Sequence, residues 1–188
     1  KAIRRQRQMC IRDREQIVDK LVSLGHKKIA FFSLSDSMAP TESERFKGFC
    51  SGLIKNKLEL RTEYLFNSEN IHLLEMVQSP TKQHSIFHRF IHKCLDEYFA
   101  FDEKPSAICC INDVSANGLY LDAVERGIRI PEDLMITGFD SIDTRTNAER
   151  HIISVSQNFF EIGASAIKLM LAILNGQSYQ KEQKIDVL

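Results

Sequence analysis

The sequence has no surplus of charge of either sign, since 25 Lys and Arg balance 25 Asp and Glu over 188 residues. That balance excludes a domain that grips a nucleic-acid backbone over its whole surface, which needs clustered cations. Long apolar runs are missing as well, and nothing approaches the ~18 uninterrupted apolar residues of a membrane-spanning helix. Nor does a charged segment lead into an apolar one in the manner of a secretion signal. Tryptophan is absent altogether. Cysteine is present without framework spacing: Cys10, Cys50, Cys94, Cys109 and Cys110 make an odd set. That excludes a disulfide scaffold and fits reduced, buried thiols in a cytosolic protein, because free Cys behaves as a small hydrophobe. A redox pair at Cys109–Cys110 is awkward for neighbours in one strand. No nucleophile elbow, phosphate-binding Gly loop or paired acid and base is visible, so no catalytic residue and no cofactor is assigned.

What is there is globular. An apolar content of 43% beside 27% charged residues suits a soluble domain with a sizeable core. Asp13 can cap a helix whose Ile17, Val18, Leu21 and Leu24 follow helical spacing, with Gly25 as its stop. "KKIAFFSL" predicts a strand at 28–34, and Phe46, Phe49, Cys50, Leu53 and Ile54 line one face of a helix at 42–56. "TEYLF" predicts a strand at 62–66, followed by a helix at 83–99. "SAICCI" (106–111) reads as a buried strand without alternation, then a helix at 114–126 ended by Gly127. "DLMITGF" (133–139) is another strand, "HIISVS" (151–156) an extended segment, 159–174 a last helix, and "KIDVL" a terminal strand. Alternating strands and helices with uniformly apolar central strands predict an α/β fold, a doubly wound parallel sheet.

In such a sheet, ligands bind beyond the carboxyl ends of the strands. There the sequence places Ser35, Asp36, Ser37 and Arg45 after the first strand, and Asn67 and Ser68 after the second. Asn112 and Asp113 follow the third, and Asp140 and Ser141 the fourth. Carboxylate, amide, hydroxyl and guanidinium groups together suit a polyhydroxylated small molecule. The same Asn and Asp residues equally suit helix caps and turns.

The segments "LVSLGHKKIAFF", "ERFKGFCSGL", "SAICCINDVSANGLYLDAVERGIRIPEDLMITGFDSID" and "ISVSQNFFEIGASAIKLML", in that order, resemble the effector-binding domain of the LacI/GalR family of bacterial transcription regulators. The resemblance runs from about Asp13 to Leu188, and "AVERGIRIPEDLMITGFD" is its most specific part. It implies a periplasmic-binding-protein-like type I fold, mainly the C-terminal subdomain of a two-subdomain sensor. The implied division is a leader at 1–12, the C-terminal subdomain at 13–156, a crossover helix of the N-terminal subdomain at 157–178, and a returning strand at 179–188. Arg45, Ser68, Asn112, Asp113, Asp140, Gln157 and Phe159 are the implied effector contacts, with Asn112 the commoner contact of its pair. No aromatic stands at Ser68, where the family often has a stacking lid, and Ile153-Ser154-Val155 replaces the family's Thr-Thr-Val. The implied function is a cytoplasmic, non-enzymatic sensor that binds a small effector, a sugar by the chemistry of the site. It acts as a homodimer, and reaches operator DNA only through a head absent from this chain. Leu119, Tyr120 and Ala123, with the 141–150 loop, are the candidate dimer surfaces. The alternative is a sugar-binding protein of a transport system.

Two features fall outside this reading. The basic opening "KAIRRQRQMCIRDREQ" either is a disordered tail or is foreign to the protein, since "RQMCIRDR" resembles a translated sequencing adapter. His84, His88 and His92 stand at i, i+4 and i+8 on one helix face. No further ligand is spaced to complete a tetrahedral zinc site, so they read as a solvated stripe and no metal is assigned.

Overall fold

The computed structural model describes residues 2–33, 40–66, 80–142, 144–156 and 159–178, the side chains of 2–10, 80–87 and 144 excepted. Among the described residues, six α-helices and four strands follow in the order α1 (Ala2–Ser23), β1 (Ile29–Phe32), α2 (Pro40–Lys55), β2 (Leu65–Phe66), α3 (Pro80–Ala100), β3 (Ala107–Cys110), α4 (Asp113–Glu125), β4 (Met135–Thr137), α5 (Thr144–Glu149) and α6 (Phe159–Leu174). The strands form one parallel sheet in the order β2-β1-β3-β4. Parallel bridges at Thr137↔Ile153 and Asp140↔Ser156 lay the segment after α5 along the β4 edge. The expected doubly wound α/β sheet is what forms.

Both faces of the sheet are covered, which is why β1 and β3 read as unbroken apolar runs. Ile29 and Phe31 of β1, with Ala107, Cys109 and Ile111, pack against Ile17, Val18 and Leu21 of α1 and Phe49 and Leu53 of α2. Ala30 and Phe32, with Ile108 and Cys110, turn the other way toward Phe90, Ile91, Cys94 and Leu95 of α3 and Leu119 and Ala123 of α4. Strand periodicity is thus present but invisible in hydropathy, since each face meets a helix layer. Cys94, Cys109 and Cys110 are free and buried, and burial pushes all three thiols up. They act as core residues.

Several expectations change. The first helix begins at Ala2, not at Asp13, so Asp13 lies inside α1 and caps nothing. The stretch from Ala2 to Asp13 holds no Gly or Pro, and its Arg, Gln and Met residues are good helix formers, so nothing stops the helix from running back through it. The helix stops hold: Gly25 and Gly127 sit at φ +95° and +82°, a left-handed conformation that glycine adopts without a Cβ penalty. Leu119 and Ala123, expected on an outer dimer face, are buried against the sheet. The outer side of α4 carries Val114, Leu121 and Val124 instead, beside exposed Ile142. The terminal strand "KIDVL" lies outside the described residues.

Candidate functional site

The site builds from the carboxyl ends of β3 and β4. Arg45, in the second turn of α2, reaches over the sheet and donates from Nη1 to the Ile111 carbonyl at 2.8 Å. Its Nη2 donates to Asp140 Oδ1 at 2.5 Å, an ion pair with 11% and 18% of the two side chains exposed. The guanidinium lies over the Phe139 ring, 4.1 Å from its centroid. Ring, carbonyl and carboxylate therefore hold the Arg45 plane in one orientation. A rigid donor fork beside a carboxylate acceptor is the arrangement that vicinal hydroxyls can bridge.

Asn112 follows immediately. Its side-chain oxygen accepts from the Ser115 amide at 2.9 Å and caps α4, so its NH2 group is what it can offer a ligand. Asp113 behaves differently. It is 3% exposed, and its carboxylate accepts from Ser154 Oγ at 2.6 Å, the Ile142 amide at 2.9 Å and Asn147 Nδ2 at 2.9 Å. Gly138 makes room for it, since a Cβ there would collide with Asp113 Oδ1. The expected pair at the cleft is therefore split: Asn112 is half-buried at the edge, whereas Asp113 turns inward.

Of the other expected contacts, Phe159 opens α6 and is 56% exposed. Ser68 and Gln157 lie outside the described residues, as do Ser35, Asp36, Ser37 and Asn67. The site gathered among the described residues is thus Arg45, Asn112 and Asp140.

Arg14 was not expected here. Fully buried, it donates from Nη2 to the carbonyls of Cys110 at 2.9 Å and Ile111 at 3.2 Å, beneath Arg45. Its guanidinium lies 4.9 Å from the Phe139 centroid and 5.9 Å from that of Phe31. Burial pushes its pKa down, and the neighbouring Arg45 charge pushes the same way. Its Nε and Nη1 have no hydrogen-bond partner among the described residues. Helical spacing was the available signal: position 14 precedes Ile17, Val18 and Leu21 on the apolar face of α1, although its charge assigns it to the basic opening.

His88 and His92 are the members of the histidine stripe whose side chains are described. His92 Nδ1 lies 3.2 Å from Asp122 Oδ1 and 2.6 Å from Arg126 Nη2, and His84 is outside the described side chains. Among the described residues no three His, Cys, Asp or Glu gather to hold a metal ion, and no helix is long and apolar enough to cross a membrane.

With that geometry in hand, comparison with known proteins is specific. The model of the periplasmic binding protein-like domain matches residues 18–187. Catabolite control protein A of Priestia megaterium is 30% identical over 161 residues, 86% of this chain and 44% of that protein. The HTH-type transcriptional repressor PurR of Mannheimia succiniciproducens is 24% identical over 162 residues, 86% of this chain and 43% of its own length. The crystal structure of a regulatory protein of the LacI family from Chloroflexus aggregans superposes with a TM-score of 0.72 at 25% identity, covering 95% of this chain and 59% of that one. The chain spans less than half the length of these curated relatives.

Proposed function

The chain belongs to the periplasmic binding protein-like domain family, in the form carried by LacI-type regulators, and from that premise we propose that it senses a small polyhydroxylated effector for a transcription regulator. The observation that carries the reading is the Arg45–Asp140 pair held over Phe139 at the carboxyl edge of a parallel sheet. There a carboxylate can accept from two neighbouring hydroxyls while the guanidinium donates to a third oxygen, and Asn112 adds an amide donor. Pairing of the two charges favours a neutral, sugar-like ligand over a strongly ionic one, which would have to displace one member of the pair. Ser68, Gln157 and Phe159 complete the contact set that the family likeness implies. Arg45, Asn112 and Asp140 supply donors and an acceptor rather than a nucleophile beside a base, which supports a binding role.

That no residue of α6 is buried supports a division of labour along the chain. Residues 13–156 form the C-terminal subdomain, whereas α6 and the turn after it, 157–178, belong to the opposing subdomain, with 179–188 returning. Effector closing the two subdomains on each other favours one orientation, and a DNA-binding head outside this chain reads that orientation in the cytoplasm. Dimerisation uses the outer stripe of α4, Val114, Leu121 and Val124, together with Ile142, which are exposed here.

A thermal-shift screen of the intact protein against neutral mono- and disaccharides, sugar phosphates and nucleobases tests this reading by ligand linkage. One neutral polyhydroxylated class raises the melting temperature, and Arg45→Ala and Asp140→Ala each abolish the rise. A rise that survives both substitutions places the effector elsewhere and overturns the assignment.

A further inference from the structure

Asp113 is not free to meet a ligand, and what holds it suggests a different task. We propose that Asp113 is a positioning residue that, with Ser154, holds the turn carrying Asp140 in the conformation that aims its carboxylate at Arg45. The inference rests on the reading of Asp140 as an effector-binding group.

The argument begins with the backbone. Asp140 and Ser141 sit at φ +92° and +47°, a region that residues with a Cβ adopt only where the surroundings impose it. On the side before the turn, the Asp140 amide donates to the Val155 carbonyl at 3.1 Å, anchoring it to the sheet edge. After it, two donors end on Asp113. The Ile142 amide donates directly to Oδ2, and the Ser141 amide donates to Ser154 Oγ at 3.1 Å, whose hydroxyl donates in turn to Oδ1. Both residues that follow Asp140 are thus tied to one buried carboxylate.

That carboxylate is itself fixed. Asp113 opens α4, and its own amide donates to the Phe139 carbonyl at 3.0 Å, so helix and strand end are locked together. Asn147, 3% exposed, donates to Oδ2 while its own side-chain oxygen accepts from Asn117 Nδ2 at 3.0 Å. Asn147 therefore cannot swing away. Gly138 leaves the space into which Oδ1 fits. Three protein donors on two oxygens, in a side chain almost without exposure, match a fixed internal acceptor better than a ligand contact. An acid in the first turn of a helix also favours the helix dipole, but that role alone would not require bonds to residues 142, 147 and 154.

The test removes the hydroxyl that links Ser141 to Asp113. Ser154→Ala, Ser154→Val and Ser154→Thr are made in the full chain, and backbone 13C shifts and HN–Hα couplings report φ at Asp140 and Ser141. The two variants without a hydroxyl lose the left-handed signature at both residues while the amide shifts of β1 and β3 stay in place, and Ser154→Thr keeps it. Ser141→Gly added to Ser154→Ala recovers the melting temperature that Ser154→Ala loses, because glycine tolerates the turn without the tie. Retention of the left-handed signature in Ser154→Ala or Ser154→Val overturns the proposal. The saccharide screen on Asp140→Ala is read separately: a surviving response beside a lost signature overturns the effector reading and leaves the positioning role supported.

Discussion

The sheet body and α6 are built from the same kinds of residue and treat them in opposite ways. In β1 and β3 every side chain is buried, Phe32 among the most enclosed. In α6, which contains Phe159, Phe160, Ile162, Ile167, Met170, Leu171, Ile173 and Leu174, none of the sixteen residues is buried. Phe160 is 82% exposed. Scattered surface apolar residues are ordinary, but a helix carrying this many marks a surface that expects a partner. The difference teaches that hydrophobicity in this chain is used in two ways: enclosed within the sheet body, and left exposed along α6 among the described residues.

Matched substitutions break or sharpen that contrast most directly. Phe32→Ala removes a fully buried ring and costs about 3–5 kcal/mol in urea unfolding. Phe160→Ala, the same chemistry in α6, changes the stability of this chain by less than about 0.5 kcal/mol. Equal costs at the two positions would show that α6 is covered within the chain. Next in size is Gly138→Ala, which drives a Cβ into Asp113 Oδ1 and costs about 1–3 kcal/mol by the same measurement.

How much of this was legible in the sequence depends on the range of the interaction. The parallel sheet showed through because "IAFF" and "AICC" are buried on both faces, and a strand with two covers needs no polar alternation. Arg45 and Asp140 could be expected at one edge because topology alone brings the carboxyl ends of parallel strands together. The inward turn of Asp113 could not be read, since Asn147 and Ser154 lie 34 and 41 residues away and nothing local announces them. Arg14 was hidden by composition: a charge among charges looks solvated, and only its helical phase places it under the sheet edge. The exposure of α6 could not be read, because amphipathic spacing says which face is apolar and not what covers it.

Smaller effects separate the two arginines at the β3 edge. Arg14 is buried with its Nε and Nη1 unpartnered among the described residues and next to a like charge, whereas Arg45 has its carboxylate. Arg14→Met, apolar and of similar length, therefore leaves the chain at least as stable in urea unfolding, because a buried charge with unmet donors contributes little net stability. A clear loss of stability would show that its two carbonyl bonds and ring contacts outweigh desolvation.

The smallest expected effect is on pH dependence. Burial pushes the Asp13 carboxyl up to about 6 from its ordinary 3.8, so the fold prefers it protonated. Its contribution is fully present below pH 3.8 and is lost as the pH rises through 6. Asp133 works in the opposite sense: the Arg129 guanidinium holds it down at about 2, so its contribution is present above 3.8 and lost as the pH falls through 2. Asp13→Asn accordingly flattens the stability profile between pH 4 and 6, while the acid limb set by Asp133 is retained.

Amide hydrogen exchange across the whole chain tests the division into a closed body and a waiting helix most directly. The amides of β1 and β3 exchange only on global unfolding, and those of α6 exchange faster by local opening, because no buried side chain holds that helix to the body. Protection of α6 equal to that of β3 would contradict the division, since it would mean that α6 opens only when the body itself unfolds.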